Sequence, residues 1–273
     1  MPLPILSSPH ATPEDLIRFY HRCELHWCRQ TAEDETVLDV GTALANRALP
    51  LVHMANVVLD ASLPEGVGAE AAAKEVDDHF RTAANTRCWK WILNPSAPAD
   101  RKTPLADYLT AHGYARQDYD IMYLGGGAPV RPIEEIPGLT IIPVRASFRH
   151  ARRLVEEATA RWSLPQVVEA DMLHFEDPQT DALLAMKDGV PAAWVSVLTV
   201  GEMGCIEDVF VSEPFRRQGI GRTMMSRALE ICARSLFKHV FLSCEPTNAP
   251  AIELYRQIGF NRIGAFTQYR ATA

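Results

Sequence analysis

One stretch of the chain decides its fold: Arg216-Arg217-Gln218-Gly219-Ile220-Gly221-Arg222. Residues 205–211, before it, have the pattern of a strand, and residues 223–233, after it, have the pattern of a helix. Backbone N–H groups at a helix start lack partners inside the helix, and the helix dipole adds partial positive charge there. Gly219 and Gly221 have no side chains that would cover these groups. The stretch therefore predicts a cradle for a phosphate or pyrophosphate.

The stretch differs from two well-known phosphate-binding loops. A GxxxxGK(S/T) loop is excluded because no Lys followed by Ser or Thr comes after the glycines. A GxGxxG dinucleotide fingerprint is excluded because the third Gly is absent and Arg216 to Gln218 precede the first. On these residues alone, a basic turn that only caps a helix stays an alternative, since a lone Gly-x-Gly is a weak signal.

A second motif follows at residues 248–260, with the form N-x-x-A-x-x-L-Y-x-x-x-G-F. The first motif, Arg216-x-x-Gly219-x-Gly221, has the form (Q/R)-x-x-G-x-(G/A), and Val211 and Pro214 stand before it. The two linked motifs resemble the acyl-CoA motif and the following helix of the Gcn5-related N-acetyltransferase (GNAT) superfamily. The resemblance covers about residues 138–273 and implies acetyl-CoA as co-substrate.

The resemblance also implies which residues hold acetyl-CoA. The pyrophosphate would lie in the cradle from Arg217 to Thr223, and the main chain of Val209 and Val211 would pair with the pantetheine amides. Asn248 would reach the pantetheine arm or the ribose, although capping the following helix is an equally good role for it. The residues expected at the acetyl-CoA site are Val209, Phe210, Val211, Arg216, Arg217, Gln218, Gly219, Ile220, Gly221, Arg222, Thr223, Asn248 and Tyr255.

Acetyl transfer to an amine makes three chemical demands. An alkyl ammonium, with a pKa of about 10, must lose a proton before it attacks. Glu207 and Asp208 are the candidate bases; successive strand residues face opposite sides, and Glu207 is slightly preferred. By resemblance, the Val209 N–H would stabilise the oxyanion, and Tyr255 would donate a proton to the thiolate. Alternatives stay open for each residue: Glu207 as a surface residue, Asp208 as an ion-pair partner and Tyr255 as a packed aromatic. Ordered water in place of a dedicated base also stays open.

The function expected from these residues is N-acetyl transfer from acetyl-CoA to a primary amine of a small molecule or peptide, by direct attack in a ternary complex. The alternative is a non-catalytic acyl-CoA-binding regulatory or interaction protein. The acceptor pocket is expected near residues 147–174, with Trp162, Trp194 and His174 as candidate lining residues whose default role is packing. A homodimer stays open.

Composition narrows the class of protein. The chain has 273 residues, 47% hydrophobic content and a formal net charge of −7. The hydrophobic content supports a packed core, and the acidic balance argues against a nucleic-acid partner. We found no apolar run of about 18 residues and no convincing signal peptide, so no membrane partner and a cytoplasmic location are expected. The six cysteines are then expected to be reduced thiols.

One group of residues has the composition of a zinc site, His21-x-Cys23-x-x-His26-x-Cys28. The residues around it, 15–30, have the pattern of a helix. On a helix, positions 21 and 28 share a face, whereas 23 and 26 point elsewhere. A four-ligand site would need that helix broken, so helix packing is expected and no metal.

The second half is expected to form a mixed, mostly antiparallel sheet with helices on both faces, in the α+β class. Asp188-Gly189 is a hairpin turn signal between two strands of this half. The predicted strands are 139–144, 181–187, 190–200, 205–211, 237–244 and a last pair near 260–270. The predicted helices are 147–161, 164–174, 219–234 and 248–258.

The first half contains a weaker copy of the second. Helix 70–80 and strand 88–93 precede Gly113-Tyr114, which aligns with Gly259-Phe260. The cradle is missing from this copy, and Glu65 places a negative charge where phosphates would bind. The Gly- and Pro-rich segment 125–138 breaks regular structure. We therefore predict two GNAT-like acyl-CoA acyltransferase domains in tandem: a degenerate one at 1–127, a linker at 128–138, and an N-acetyltransferase domain at 139–273.

Overall fold

A computed structural model describes residues 11–124 and 135–272. The helices of the described residues are α1 (Pro13–Arg29), α2 (Ala69–His79), α3 (Ala99–Ala111), α4 (Phe148–Thr159), α5 (Pro165–Glu176), α6 (Ile220–Arg234) and α7 (Ala249–Ile258). Their strands are β1 (Asp34–Leu38), β2 (Gly41–Ala45), β3 (Val57–Ala61), β4 (Lys90–Leu93), β5 (Tyr114–Leu124), β6 (Leu139–Pro143), β7 (Thr180–Lys187), β8 (Val190–Val200), β9 (Met203–Val211), β10 (His239–Cys244) and β11 (Asn261–Ala271).

The chain folds as two compact units. The large unit consists of Met1–Cys23 and Asp120–Gly264, and the small unit consists of Glu24–Tyr119 and Ala265–Ala273. As a result, α1, β5 and β11 each contribute residues to both units. Compactness does not test where one sequence copy ends and the next begins, so the boundaries at 127 and 139 stay a prediction. Most of the predicted linker, 128–134, lies outside the described residues.

The sheet of the large unit has the strand order β5-β10-β9-β8-β7-β6. Only the β9–β10 pair in this unit is parallel among the described pairs. Strand β8 is buried almost throughout because helices cover both faces of the sheet. On one face Val195 and Val197 pack with Met224 of α6, and on the other Trp194 packs with Leu154 of α4. This is the predicted mixed, mostly antiparallel sheet, so the predicted fold class is confirmed.

Two glycines of the large unit have different roles, one in a turn and one in a close approach. Asp188 and Gly189 both have left-handed φ angles, 51° and 79°, and close the β7–β8 hairpin as predicted. The predicted last pair of strands is wrong, since β11 is one continuous strand. Gly264 makes no turn in it; instead, a Cβ there would lie 2.8 Å from Ile17 Cδ1 of α1, so the glycine allows a close approach.

The small unit repeats the plan of the large one. Its strand order is β1-β2-β3-β4-β11-β5, and β3 and β4 are parallel, as β9 and β10 are. The order β3-α2-β4-α3-β5 matches β9-α6-β10-α7-β11. Between β3 and α2, Glu65 is exposed, 3.6 Å from the Arg101 guanidinium. Both halves therefore have GNAT-like element order, which is consistent with a tandem arrangement.

Helix α1 runs without a break from Pro13 to Arg29, so His21, Cys23, His26 and Cys28 all lie within one regular helix. Within residues 11–124 and 135–272, no group of three or more His, Cys, Asp or Glu side chains is placed to hold a metal ion. The helices in the same ranges also lack the combination of length and hydropathy that a membrane span needs.

Candidate active site

The central strands of the large unit part from each other. Strands β9 and β10 pair from Met203 to Cys205, opposite His239 to Phe241. Beyond Cys205 the pairing ends, although β9 continues to Val211 and β10 to Cys244. The main chain of β9 past this point therefore faces an opening between the two strands, into which an extended ligand can add as a strand.

A bulge bends β9 at this opening. Trp194 of β8 pairs with Phe210, and Ser196 pairs with Glu207, so β9 carries one residue more than β8 between the two pairs. Asp208 lies in the bulge with a left-handed φ of 52°, which is uncommon for a residue other than glycine. A bulge redirects side chains and increases local twist. The strict alternation expected for Glu207 and Asp208 therefore does not hold here.

The glycine-bearing turn lies at the start of α6. Gly219 is the residue before the helix, with φ 81°, and no side chain caps the first turn. A Cβ on Gly221 would meet Val211 Cγ2 at 3.5 Å and Leu254 Cδ2 at 3.8 Å, which are ordinary contacts. The fold would thus accept a methyl group at 221, and the space it would fill is open to a ligand. The predicted strand, turn and helix start are confirmed.

The side chains of this turn brace it from within. Arg216 Nε donates to the carbonyl oxygen of Val211 at 3.0 Å, and Gln218 Nε2 donates to that of Pro214 at 2.9 Å. Arg222 donates to Gln257 Oε1 of α7. Arg217 is exposed, with φ 62°. Of the predicted phosphate-binding arginines, Arg217 is therefore the most accessible for charge-assisted bonds.

One cavity of about 980 Å³ connects the turn, the parted strands and helices α4 and α5, all within the large unit. The predicted site residues on its wall are Asp208, Val209, Phe210, Val211, Arg216, Arg217, Gly219, Gly221, Arg222, Asn248 and Tyr255. The predicted residues outside its wall are Glu207, Gln218, Ile220 and Thr223. The side chain of Ile220 packs in the core, and Thr223 Oγ1 donates to the carbonyl oxygen of Gly219 at 3.3 Å. The volume is typical of small-molecule and cofactor sites.

Two of the predicted site residues on the cavity wall belong to α7 and its N-cap. Asn248 caps the helix, its Oδ1 accepting from the Ala251 N–H at 3.4 Å, so the capping role is present. Tyr255 is only 6% exposed. Burial, followed by nearby Cys244 and Glu207, raises the pKa of Tyr255 well above its ordinary value. The phenol therefore stays protonated over the working range of pH.

The two candidate bases have different surroundings. The Cys205 thiol donates to Glu207 Oε1, with Sγ and Oε1 3.0 Å apart. Asp208 is exposed and lies on the cavity wall, as does Asp171 of α5. Desolvation, and then the charge of Asp208, raise the pKa of Asp171 well above its ordinary value. Asp171 therefore belongs to the site, although no sequence motif marked it.

The helices over the other face of the sheet complete the cavity. Trp162 and Trp194 line it, as expected, together with Glu157 of α4. His174 is fully buried and lies outside the cavity wall, so of its two candidate roles the default one, packing, is present. It lies on the inner side of α5, among the residues that pack on the sheet.

Residues 148–260 match the model of the Acetyltransferase (GNAT) family, so this part of the chain is a GNAT domain and the predicted resemblance is confirmed. Streptothricin acetyltransferase from Streptomyces lavendulae is 36% identical over 83 residues, which cover 30% of this chain and 41% of the relative. The chain spans 30% to 62% of the lengths of four curated relatives that it matches, less than two thirds of each.

Solved structures show the same fold over most of the chain. A GCN5-related N-acetyltransferase from Kribbella flavida has a TM-score of 0.62 and 16% identity, covering 93% of this chain and 95% of that one. A tandem GNAT protein from the clavulanic acid biosynthesis pathway, solved without AcCoA, has a TM-score of 0.55 and 17% identity, covering 79% and 74%. At these identities the likeness shows the fold alone.

Proposed function

We propose that this protein transfers an acetyl group from acetyl-CoA to a primary amine of a small molecule or peptide, by direct attack in a ternary complex. The observation that carries the proposal is that one cavity joins an uncapped helix start at Gly219 to the parted strands β9 and β10. A pyrophosphate fits the first feature, and an extended chain with two amides fits the second.

The hydrogen-bonding groups along the cavity suit the successive parts of acetyl-CoA. The first N–H groups of α6 would hold the pyrophosphate, with Arg217 adding positive charge and Gly221 leaving room for the phosphate oxygens. The exposed main chain of β9, from Val209 to Val211, would pair with the pantetheine amides. Bound in this order, acetyl-CoA would have its thioester in the region between the β9 bulge and Tyr255.

Three protein groups would act on the thioester and the amine. The Val209 N–H at the bulge would donate to the developing oxyanion. Tyr255 would donate a hydrogen bond to the leaving thiolate; its raised pKa favours this role over full proton transfer. Of the two predicted bases, Asp208 lines the cavity, whereas Glu207 lies outside its wall and accepts from Cys205. We therefore propose Asp208 as the residue of this pair that meets the amine.

Acetyl-CoA titration followed by an amine panel tests the proposal. Acetyl-CoA should raise the melting temperature of the full chain, and at least one primary amine should release CoA thiol at a rate that depends on enzyme concentration. Absence of acetyl-CoA binding would overturn the proposal. Binding with no CoA release from any amine would instead favour the non-catalytic acyl-CoA-binding alternative.

A further inference from the structure

The end of the cavity formed by α4, α5 and the β9 bulge is acidic. Asp171 from α5, Asp208 from the bulge and Glu157 of α4 all line it, and the charge of Asp208 acts on Asp171. Glu157 Oε1 accepts from the Glu213 backbone N–H at 3.2 Å, so Glu157 already has a structural role. The arginines on the wall, in contrast, belong to the turn before α6 and its first residues. The charged wall residues from α4, α5 and the bulge are thus all acidic, whereas around the turn Glu213 and Glu253 accompany the arginines.

The wall of the acidic end also contains an unsatisfied donor. Trp194 is 4% exposed, and its indole N–H has no hydrogen-bond partner among the described residues. Its ring packs against Phe210 with the centroids 4.6 Å apart, which fixes its position. Buried N–H groups are normally paired, and an orphan one costs stability. Because the indole N–H is closed off from solvent, the contribution of Trp194 to the cavity wall is its aromatic ring.

Aromatic faces and carboxylates together select for cations. Trp162 and Trp194 both line the acidic end, and indole rings attract organic cations more strongly than other aromatic side chains do. An ammonium beside Asp171 and Asp208 would offset the repulsion between the two carboxylates. An anionic acceptor would add to that repulsion. The same cavity must also receive the acetyl-pantetheine arm, so the space left suits a compact molecule.

We propose that this acidic end is the acceptor site, that it takes a small organic cation with its primary ammonium between Asp171 and Asp208, and that Asp171 accepts the proton of that ammonium. The inference rests on the acetyl transfer proposed above and names its substrate class and proton acceptor. The carbon body of the amine packs on Trp162 and Trp194.

The protons and electron pairs of the proposed reaction can be followed through each step. The Asp171 carboxylate takes one proton from R–NH3⁺ and leaves a neutral amine. The nitrogen lone pair then attacks the thioester carbon; the C–N bond forms, and the C–S electron pair leaves with sulfur. The nitrogen still carries an extra proton, which passes to the thiolate. The products are the N-acetyl amine and CoA thiol, and Asp171 returns its proton to solvent.

A matched pair of amines tests Asp171. We would compare 2-phenylethylamine, an ammonium at about pH 8, with 2,2-difluoro-2-phenylethylamine, whose fluorines leave it mostly neutral there. Asp171→Asn should lower kcat/KM for the ammonium probe about 100-fold, and for the neutral probe less than about threefold, because only the first needs a base. The control is Glu176→Gln, an exposed acid on α5 outside the cavity wall.

Binding gives a second readout that does not depend on turnover. With CoA present, 2-phenylethylamine should quench tryptophan fluorescence in the wild-type protein, with at least tenfold weaker binding in Asp171→Asn. The inference would be overturned if Asp171→Asn lowered kcat/KM equally for both probes or left both rates unchanged. It would also be overturned if the amine bound Asp171→Asn as tightly as wild type, or did not bind the wild type at all. If acetyl-CoA binds and the neutral probe is acetylated in those cases, the proposed acetyl transfer still stands. Failure of acetyl-CoA to bind would remove both.

Discussion

The Cys205 thiol donates a hydrogen bond to Glu207 Oε1, with Sγ and Oε1 3.0 Å apart. The two residues lie on the same face of β9, just where this strand parts from β10. The bond holds the Glu207 carboxylate against its own strand. One residue further, the bulge at Asp208 directs the next carboxylate to the cavity. The bulge therefore decides which of the two adjacent acids lines the cavity.

This difference gives a direct comparison of the two acids. Asp208→Asn should lower kcat/KM with a protonated alkylamine at least about 30-fold, because it removes a carboxylate from the acceptor site. Glu207→Gln keeps the shape and an oxygen that accepts from Cys205, so its kcat/KM should fall less than about fivefold. Steady-state CoA release measures both. A larger loss for Glu207→Gln than for Asp208→Asn would show that Glu207 is the functional acid.

The cradle is tested by adding one methyl group. Gly221→Ala should raise the dissociation constant of acetyl-CoA at least about tenfold, because the methyl fills space needed by phosphate oxygens. Folding should survive, since the new Cβ meets only Val211 and Leu254 at ordinary distances. Alanine also favours a helix over glycine by up to about 1 kcal/mol. Isothermal titration calorimetry and thermal melting provide the two readouts.

The control for this substitution comes from the other unit. Gly68 precedes α2 in a similar position, its φ is not left-handed, and a Cβ there meets nothing within 4 Å. Gly68→Ala should leave acetyl-CoA affinity unchanged. Equal affinity for wild type and Gly221→Ala would contradict a phosphate cradle at α6.

Tyr255 is tested by removing its hydroxyl group. Tyr255→Phe should lower kcat about 10- to 100-fold and leave acetyl-CoA affinity unchanged, because the hydrogen bond to the thiolate forms as the C–S bond breaks. Since burial raises the pKa of Tyr255, wild-type kcat should not decline as pH approaches about 10, the ordinary tyrosine value. Tyr108→Phe, a half-buried tyrosine in the small unit, is the control. Unchanged kcat in Tyr255→Phe would leave the phenol only a packing role.

The cradle was predictable because it is local. A helix start with Gly219 before it uses main-chain groups, so a strand pattern, a turn and a helix pattern were enough to place it. Asn248 was likewise predictable as a cap, since capping depends on neighbouring residues. The repeated element order of the two halves was also detectable, through the alignment of Gly113 with Gly259.

The acceptor end was not predictable in the same way. Asp171 shares the cavity wall with Asp208 because α5 packs across the sheet, and no spacing in the sequence reports that arrangement. The bulge at Asp208 carries no glycine, so the sequence favoured regular alternation there. His174, three residues after Asp171 on α5, is fully buried and lies outside the cavity wall, which helical spacing alone does not report.

The last prediction concerns stability. Desolvation and the Asp208 charge raise the pKa of Asp171 in the folded protein, with Glu157 on the same wall. The folded state therefore holds the Asp171 proton to higher pH than the unfolded state, whose pKa is about 3.9. The stability due to this proton is complete below that value and is lost as pH rises through the folded pKa. Asparagine does not ionise, so Asp171→Asn should not lose this stability as pH rises.

Thermal melting across pH measures this effect. The melting temperature of Asp171→Asn minus that of wild type should lie near zero at about pH 4 and become increasingly positive toward about pH 8. Glu169→Gln on the same helix should show the opposite sign, because the bond from Arg152 lowers the pKa of Glu169 and stabilises the fold above the unfolded value. If the melting-temperature difference between Asp171→Asn and wild type stays flat or falls with pH, then ionisation of Asp171 does not destabilise the folded protein. In that case a role of Asp171 in amine binding would carry no cost in stability.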